Sequence, residues 1–391
     1  MGTKSGRKRL RQLCEAFVTE ALRLPEWREY EAIKGLPEFQ AVYAFAEREG
    51  LIAKIGVEKS DADGKPLPPD AADLWQLYLL PLTERCSKSK LADVYPLLEE
   101  SLYADHATWQ ALVPLPGFMV EAGPVQLPNG VSIRELTASE KGRLRRLGQS
   151  LEAGGAFGLG LRNATFAMSC RKQLPKARPT AGGVGDEDFD KVVTALKLLK
   201  DGPVWFKVHV DKLEYPPFGT EFALGSGLAT WGRDPTVYFG QYELLEADVK
   251  PLKELVASLE RISEHRQLQV AVGRFKLAYD RMGSEDELVN LWIGLEALFL
   301  PDGPRQELRY RASLRVAWFV GESAREREEI FRRIRDSYDA RSDIVHGREA
   351  KDVGEIACFT KDVLRRALRR AIVTPESLDT KQLDDMIVRG S

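Results

Sequence analysis

The sequence predicts an α+β multidomain protein with a helical N-terminal region over 1–108, a middle α+β domain over 109–242 and an all-α helical bundle over 243–391. Three observations carry this. Apolar residues recur at helical spacing up to about Tyr103, short strand-like runs punctuated by Gly and Pro follow from about Pro114, and helical periodicity returns after about Glu243. At 391 residues, 43% hydrophobic and 30% charged, the chain is long enough for two or three cores and has the composition of a globular protein.

In the N-terminal region Leu10, Leu13, Cys14, Phe17 and Leu22 trace one stripe, and the apolar run 39–45 opens a second helix. The Asp-, Gly- and Pro-rich stretch 59–70 reads as a loop. Helices are expected over 73–86 and 91–103, the second broken or kinked at Pro96. In the middle domain the expected strands are 117–121, 131–136, 156–170, 204–210 and 236–242, with a helix over 187–200 and a linker over 175–186. The bundle should consist of helices at 251–262, 268–280, 285–300, 306–320, 324–345 and 353–372. Its breaks fall at Gly283-Ser284, at Pro301-Asp302-Gly303-Pro304 and at Gly321.

Lys+Arg 57 against Asp+Glu 59 gives no global basic character, so a nucleic-acid surface has to come from local clustering. Cys14, Cys86, Cys170 and Cys358 lie far apart without a C-x-x-C pair, which argues against a zinc site and a disulfide framework and fits a reducing, cytoplasmic setting. The basic start of the chain has no apolar segment behind it, and no apolar run approaches the roughly 18 residues of a membrane span, so no membrane partner is expected.

One segment carries chemistry. Ser337-Tyr338-Asp339-Ala340-Arg341-Ser342-Asp343-Ile344-Val345-His346-Gly347 sets an arginine and one of four histidines five positions apart at a helix end. A histidine titrating near neutrality can move the proton of a ribose 2′-OH, and a permanently charged guanidinium can hold the phosphate whose charge rearranges. The R-x4-H arrangement resembles that of HEPN ribonucleases. Over 284–347 the ordered series Asp286, then Leu291-Trp292-Ile293-Gly294-Leu295-Glu296-Ala297-Leu298, then Tyr310-Arg311-Ala312, then Tyr338, Arg341-Ser342 and Val345-His346-Gly347 is similar to the Apea-like HEPN domain. The resemblance implies a four- or five-helix bundle that dimerises with two R-x4-H motifs at the interface. It also implies an endoribonuclease acting as a toxin or antiphage-defence effector, with Arg341 and His346 as its catalytic residues. Expected partners are an RNA substrate, a second copy of the chain through the HEPN domain, and a defence-system partner protein or trigger.

If 324–345 is one regular helix, Ile330, Ile334, Tyr338, Arg341 and Val345 fall on one stripe, which places Arg341 among core residues. A guanidinium there needs a carboxylate, Glu296 for example, or a polar pocket at an interface. His346 stands roughly 140° further around the helix. The pair therefore requires either a distorted helix end, which Gly347 permits, or a site shared between protomers. Alone, His346 would read as a helix-end residue facing free carbonyls. Asp343 could orient His346 or neutralise Arg341, or simply be solvated. Tyr338 should pack, Ser342 follows the arginine as in Apea-like sequences, and Glu296 is unusual in its apolar run.

Residues 301–373 hold 17 Lys/Arg against 13 Asp/Glu, among them Arg332, Arg333, Arg335, Arg365, Arg366, Arg369 and Arg370, and either an RNA-binding rim or a solvated charged face follows. No P-loop, dinucleotide fingerprint, H-E-x-x-H or G-x-S-x-G is present, and His106, His209 and His265 stand isolated, so no cofactor and no metal are expected. The competing expectation is a non-catalytic HEPN dimerisation or RNA-binding module, or a regulatory subunit of a defence complex.

Overall fold

A computed structural model describes residues 4–55, 65, 67–150, 163–175, 184–204, 210–215, 241–280, 283–301 and 307–389. The chain is mixed α+β, with many helices and a small sheet among the described residues. It divides into two compact units, one of residues 1–113, 169–186 and 208–228, the other of residues 114–168, 187–207 and 229–391.

In the first unit, α1 (Lys4–Ala21), α2 (Tyr30–Ile33) and α3 (Pro37–Arg48) are followed by α4 (Ala71–Leu74), α5 (Leu80–Cys86) and α6 (Leu91–Tyr103). The expected stripe on α1 forms its buried face through Leu10, Cys14 and Phe17, and Phe17 meets Phe39 and Trp75 at ring distances of 6.1 Å. Leu13 packs at the edge of that core, and Leu22 lies beyond the helix and is exposed. Between α4 and α5 runs a π-helical turn, Trp75–Leu79. Pro81 lacks the N–H that would bond to Leu77, and a wider turn just before it absorbs the mismatch. Pro96 lies inside α6 without ending it.

Where the helical reading ran on to 108, a strand begins: β1 (His106–Leu115) pairs antiparallel with β6 (Val210–Tyr215), Leu112 opposite Val210 and Ala111 opposite Asp211. Five consecutive apolar residues at 111–115 hide the alternation that marks a half-buried strand. Of the expected strands, residues 156–162, 205–209 and 236–240 lie outside the described residues. β5 covers Phe166–Pro175. Of the linker, 176–183 are likewise outside.

In the second unit β2 (Phe118–Val120) pairs in parallel with β7 (Tyr242–Leu244), and Phe118 stacks on Tyr242 at 5.2 Å. β3 (Val125–Gln126) and β4 (Ser132–Glu135) form a hairpin. The sequence reading placed no helix after it, yet α7 (Ala138–Ser150) is there. Its start is a reciprocal cap: the Glu140 amide donates to the Thr137 hydroxyl at 3.3 Å and the Thr137 amide donates to the Glu140 carboxylate at 2.9 Å. Arg134 donates twice to the same carboxylate, which with these bonds holds Glu140 at about 2 against the opposing effect of burial.

α8 (Asp186–Leu199) precedes the helices α9 (Glu246–Leu259), α10 (Arg266–Asp280), α11 (Ser284–Phe299), α12 (Leu308–Val320), α13 (Ala324–Val345), α14 (Val353–Val373) and α15 (Thr380–Arg389). α15 has no counterpart in the sequence reading. α9 starts five residues before Pro251, because the Asp248 carboxylate accepts the Leu245 amide at 3.1 Å. α11 packs on α10 and on α14. A Cβ on Gly294 would come within 2.9 Å of Leu364, so the missing side chain sets the approach of α11 to α14.

Candidate functional site

The R-x4-H segment occupies the last turn and the end of α13. Ser323 begins that helix, its hydroxyl accepting the Glu326 amide at 3.2 Å, as serine at an N-cap does. The buried face consists of Ile330, Ile334, Ser337 and Ala340. The expected stripe advances in steps of four, four, three and four residues, a step of four turning about 40° beyond a full revolution and a step of three about 60° short of one. Tyr338, about 80° around from Ile330, lies on the flank and is half-buried. Arg341 returns to within about 20° of Ile330 but sits one turn from the helix end, where its side chain is half-buried, and Val345 is exposed. Arg341 thus stands at the border of the core rather than within it.

Two turns before the helix end, three side chains pin α13. The indole N–H of Trp292 donates to the Ser337 hydroxyl at 2.8 Å, and that hydroxyl lies 2.7 Å from the Thr360 hydroxyl, which also donates to the Ile356 carbonyl. All three residues are fully buried. A buried indole and two buried hydroxyls each need a partner, and here they supply one another across α11, α13 and α14. Tyr338 packs edge-on against Trp292 with ring centroids 5.1 Å apart. The sequence reading gave Trp292, Ser337 and Thr360 no role. The signal was a tryptophan inside an otherwise apolar helix, whose N–H had to find an acceptor.

The helix end is a paired-carbonyl stop. His346 is the C-cap, Gly347 follows at φ 69°, the Gly347 amide donates to the Ile344 carbonyl at 3.0 Å, and the Arg348 amide donates to the Asp343 carbonyl at 2.7 Å. No neighbour would meet a Cβ at Gly347, so glycine is required there by backbone conformation alone. The His346 imidazole is exposed, and its ring makes no hydrogen bond or ion pair among the described residues. Its backbone N–H bonds to Ser342 at 3.1 Å.

The nearest carboxylate to the Arg341 guanidinium is Glu296, at 3.6 Å. That is an ion pair too long to be a hydrogen bond. The Arg341 Nε is buried and has no hydrogen-bond partner, and the guanidinium lies 6.0 Å from the Tyr338 ring centroid. Glu296 is half-buried, not the buried carboxylate its apolar surroundings suggested. The buried acid of α11 is Glu287, paired with Lys361 at 2.8 Å. Asp343 pairs with Arg348 at 3.2 Å rather than with His346 or Arg341. Ser342 contributes its carbonyl to the helix end. The fold therefore joins Arg341 to Glu296 and Tyr338, and Asp343 to Arg348. Among the described residues no bond joins His346 to any of them.

The arginines of α14 are not a free basic rim. Arg365 donates to the Lys197 carbonyl at 3.0 Å and Arg369 to that of Leu199 at 3.2 Å, both at the end of α8. Arg366 and Arg370 donate to Val320 and Phe319 at 3.0 and 2.7 Å, at the end of α12. Arg315 does the same for the Phe299 carbonyl of α11 at 2.6 Å. A helix leaves its last carbonyls unpaired with a partial negative charge, and these guanidiniums supply both donor and charge. Arg332 and Arg333 lie 3.8 Å from Glu328 and Glu329 on a solvated helix face, and Arg335 lies over Phe331.

Among the described residues no three His, Cys, Asp or Glu side chains cluster to hold a metal ion, and no helix is long and apolar enough to cross a membrane. No family model, no curated protein and no solved structure matches the chain.

Proposed function

We propose that the protein is a metal-independent endoribonuclease of the HEPN type, a toxin-like or antiphage effector working in the cytoplasm. The observation that carries this reading is the contrast at the end of α13. The Arg341 guanidinium sits half-buried with an unpaired Nε and only a 3.6 Å contact to Glu296, beside a helix end that presents an untethered His346 imidazole. Leaving Glu296 for a phosphate costs Arg341 little, since a partly exposed ion pair is worth about 1 kcal/mol or less. His346 takes the proton of a ribose 2′-OH or delivers one to the leaving oxygen. The 2′ oxygen bonds to phosphorus as the bond to the 5′ oxygen breaks, and Arg341 stabilises the charge that builds on the phosphoryl oxygens. Because five residues place the two side chains roughly 140° apart on a regular helix, the site is proposed to be shared across a homodimer of the helices α9–α14.

Purified protein incubated with RNA in EDTA is expected to leave 2′,3′-cyclic phosphate and 5′-OH ends and to spare 2′-deoxy substrates. Products with 5′-phosphates, or a reaction that chelation stops, would overturn the mechanism. Mixing Arg341→Ala with His346→Ala protein should recover activity if the site is shared. A second reading, a non-catalytic dimerisation or RNA-binding module within a defence complex, is favoured by the Arg341–Glu296 pair and by the commitment of the α14 arginines to helix ends. It expects no cleavage by any preparation.

A further inference from the structure

Ser258, near the end of α9, is 7% exposed, yet its hydroxyl makes no hydrogen bond among the described residues. Other buried hydroxyls on the helices of this unit have partners: those of Thr194, Ser313 and Thr360 bond back to the carbonyl four residues earlier at 2.7 Å, and that of Ser337 accepts the Trp292 indole N–H at 2.8 Å. Ser258 instead lines a cavity of about 220 Å³ formed by the α9–α10 connection and the end of α14.

The walls of this cavity carry opposite charge. Arg261 and His265 line it, and neither side chain has an ion pair or hydrogen bond among the described residues. α10 starts at Arg266, and its first internal bond runs from the Gln269 amide to the His265 carbonyl at 3.0 Å. Helix geometry thus leaves the amides of residues 266–268 without internal acceptors, and the residue at the N-cap position is His265, not a Ser, Thr, Asp or Asn. The other side of the lining comes from α14, which ends at Val373 with its partial negative charge, and from Glu376 just beyond it; Glu264 lies on the same connection as Arg261 and His265. Leu268, Ile372 and Pro375 supply apolar surface between the poles.

We infer that this cavity binds a free α-amino acid with an apolar side chain. The carboxylate meets Arg261, His265, the Ser258 hydroxyl and the first turn of α10. The ammonium group meets Glu376 and the carbonyl end of α14, and the side chain lies on Leu268, Ile372 and Pro375. The volume is below the roughly 300–1,000 Å³ of pockets for drug-sized ligands, which suits one amino acid rather than a peptide. Arg341 and His346 play no part in this site, and its test reads no RNA cleavage.

Melting curves and titration calorimetry on the full-length chain, with L-leucine, L-valine, L-methionine and L-phenylalanine as probes, decide the matter. At least one probe is expected to raise the melting temperature. Its amide, which lacks the carboxylate, and its N-acetyl derivative, which lacks the ammonium, should each bind about tenfold more weakly or worse. Arg261→Gln and Glu376→Gln should weaken binding to a similar degree while leaving the melting temperature of the free protein unchanged, since both side chains reach solvent. The inference is overturned if no probe shifts the melting temperature. It is equally overturned if the blocked derivatives bind as well as the parent amino acid, or if Arg261→Gln binds undiminished.

Discussion

Helices α13 and α14 both carry runs of arginine, and Arg341 near the end of α13 stands in contrast to the four on α14. On α14, Arg365, Arg366, Arg369 and Arg370 each donate to a carbonyl at the end of another helix, and Arg365 also holds Asp201 and the Tyr279 hydroxyl at 2.7 and 2.6 Å. On α13, Arg341 keeps a buried Nε without a partner and only a long contact to a half-buried carboxylate. A count of basic residues treats the two helices alike. Hydrogen bonds separate them, because the guanidiniums of α14 spend donors on helix-end carbonyls and the Arg341 Nε has no acceptor.

The comparison is sharpest when the two kinds of arginine are removed. Arg365→Ala is expected to cost about 2–3 kcal/mol, less than the full penalty for breaking a buried pair because Asp201 regains water. Arg341→Ala should cost about 1 kcal/mol or less, while abolishing RNA cleavage. Chemical denaturation of both variants measures this, and equal losses would erase the distinction.

Acid should act on the satisfied arginines. Burial pushes the Asp201 carboxyl up, but the Tyr279 hydroxyl and the Arg365 and Lys361 charges outweigh it and leave Asp201 below the usual aspartate range. The Arg315 hydrogen bonds likewise hold Asp384 below that range. Carboxylates depressed in the folded state contribute stability that is complete above the ordinary aspartate pKa and is lost as pH falls through the lowered folded values. Denaturation midpoints followed downward from neutral pH should therefore decline in that acid window, and less steeply in an Asp201→Asn, Asp384→Asn double variant. An unchanged slope would mean these bonds do not persist in solution.

A smaller effect is expected at the end of α13. Gly347→Ala should cost about 1 kcal/mol by forcing an alanine into the left-handed region, with no clash to add to it. It should also lower cleavage more than so small a loss of stability explains, since Gly347 sets the direction in which the chain leaves His346.

How legible these features were depended on whether a local pattern carried them. The bounds of α13 were readable, because Ser323 caps its start and Gly347 marks its stop. The start of α7 is written as Thr137-Ala138-Ser139-Glu140, a Ser/Thr residue three before Glu, yet few apolar residues follow, so no amphipathic stripe marks the helix in the sequence. β1 was hidden by its unbroken apolar run. Arg341 and Glu296 could be matched as a pair from the helix pattern, but the length of their contact and the orphaned Nε belong to tertiary geometry. The same holds for the α14 arginines, whose carbonyl partners lie 46 to 170 residues away in the chain.

The central claim, that the end of α13 is a reaction centre, is tested most directly by the rate at which wild-type and His346→Ala protein cleave the same RNA at matched concentration. Loss of about 100-fold or more in rate, with an unchanged melting temperature because the imidazole is exposed, is the result this account predicts. A His346→Ala protein that cleaves at the wild-type rate would contradict it.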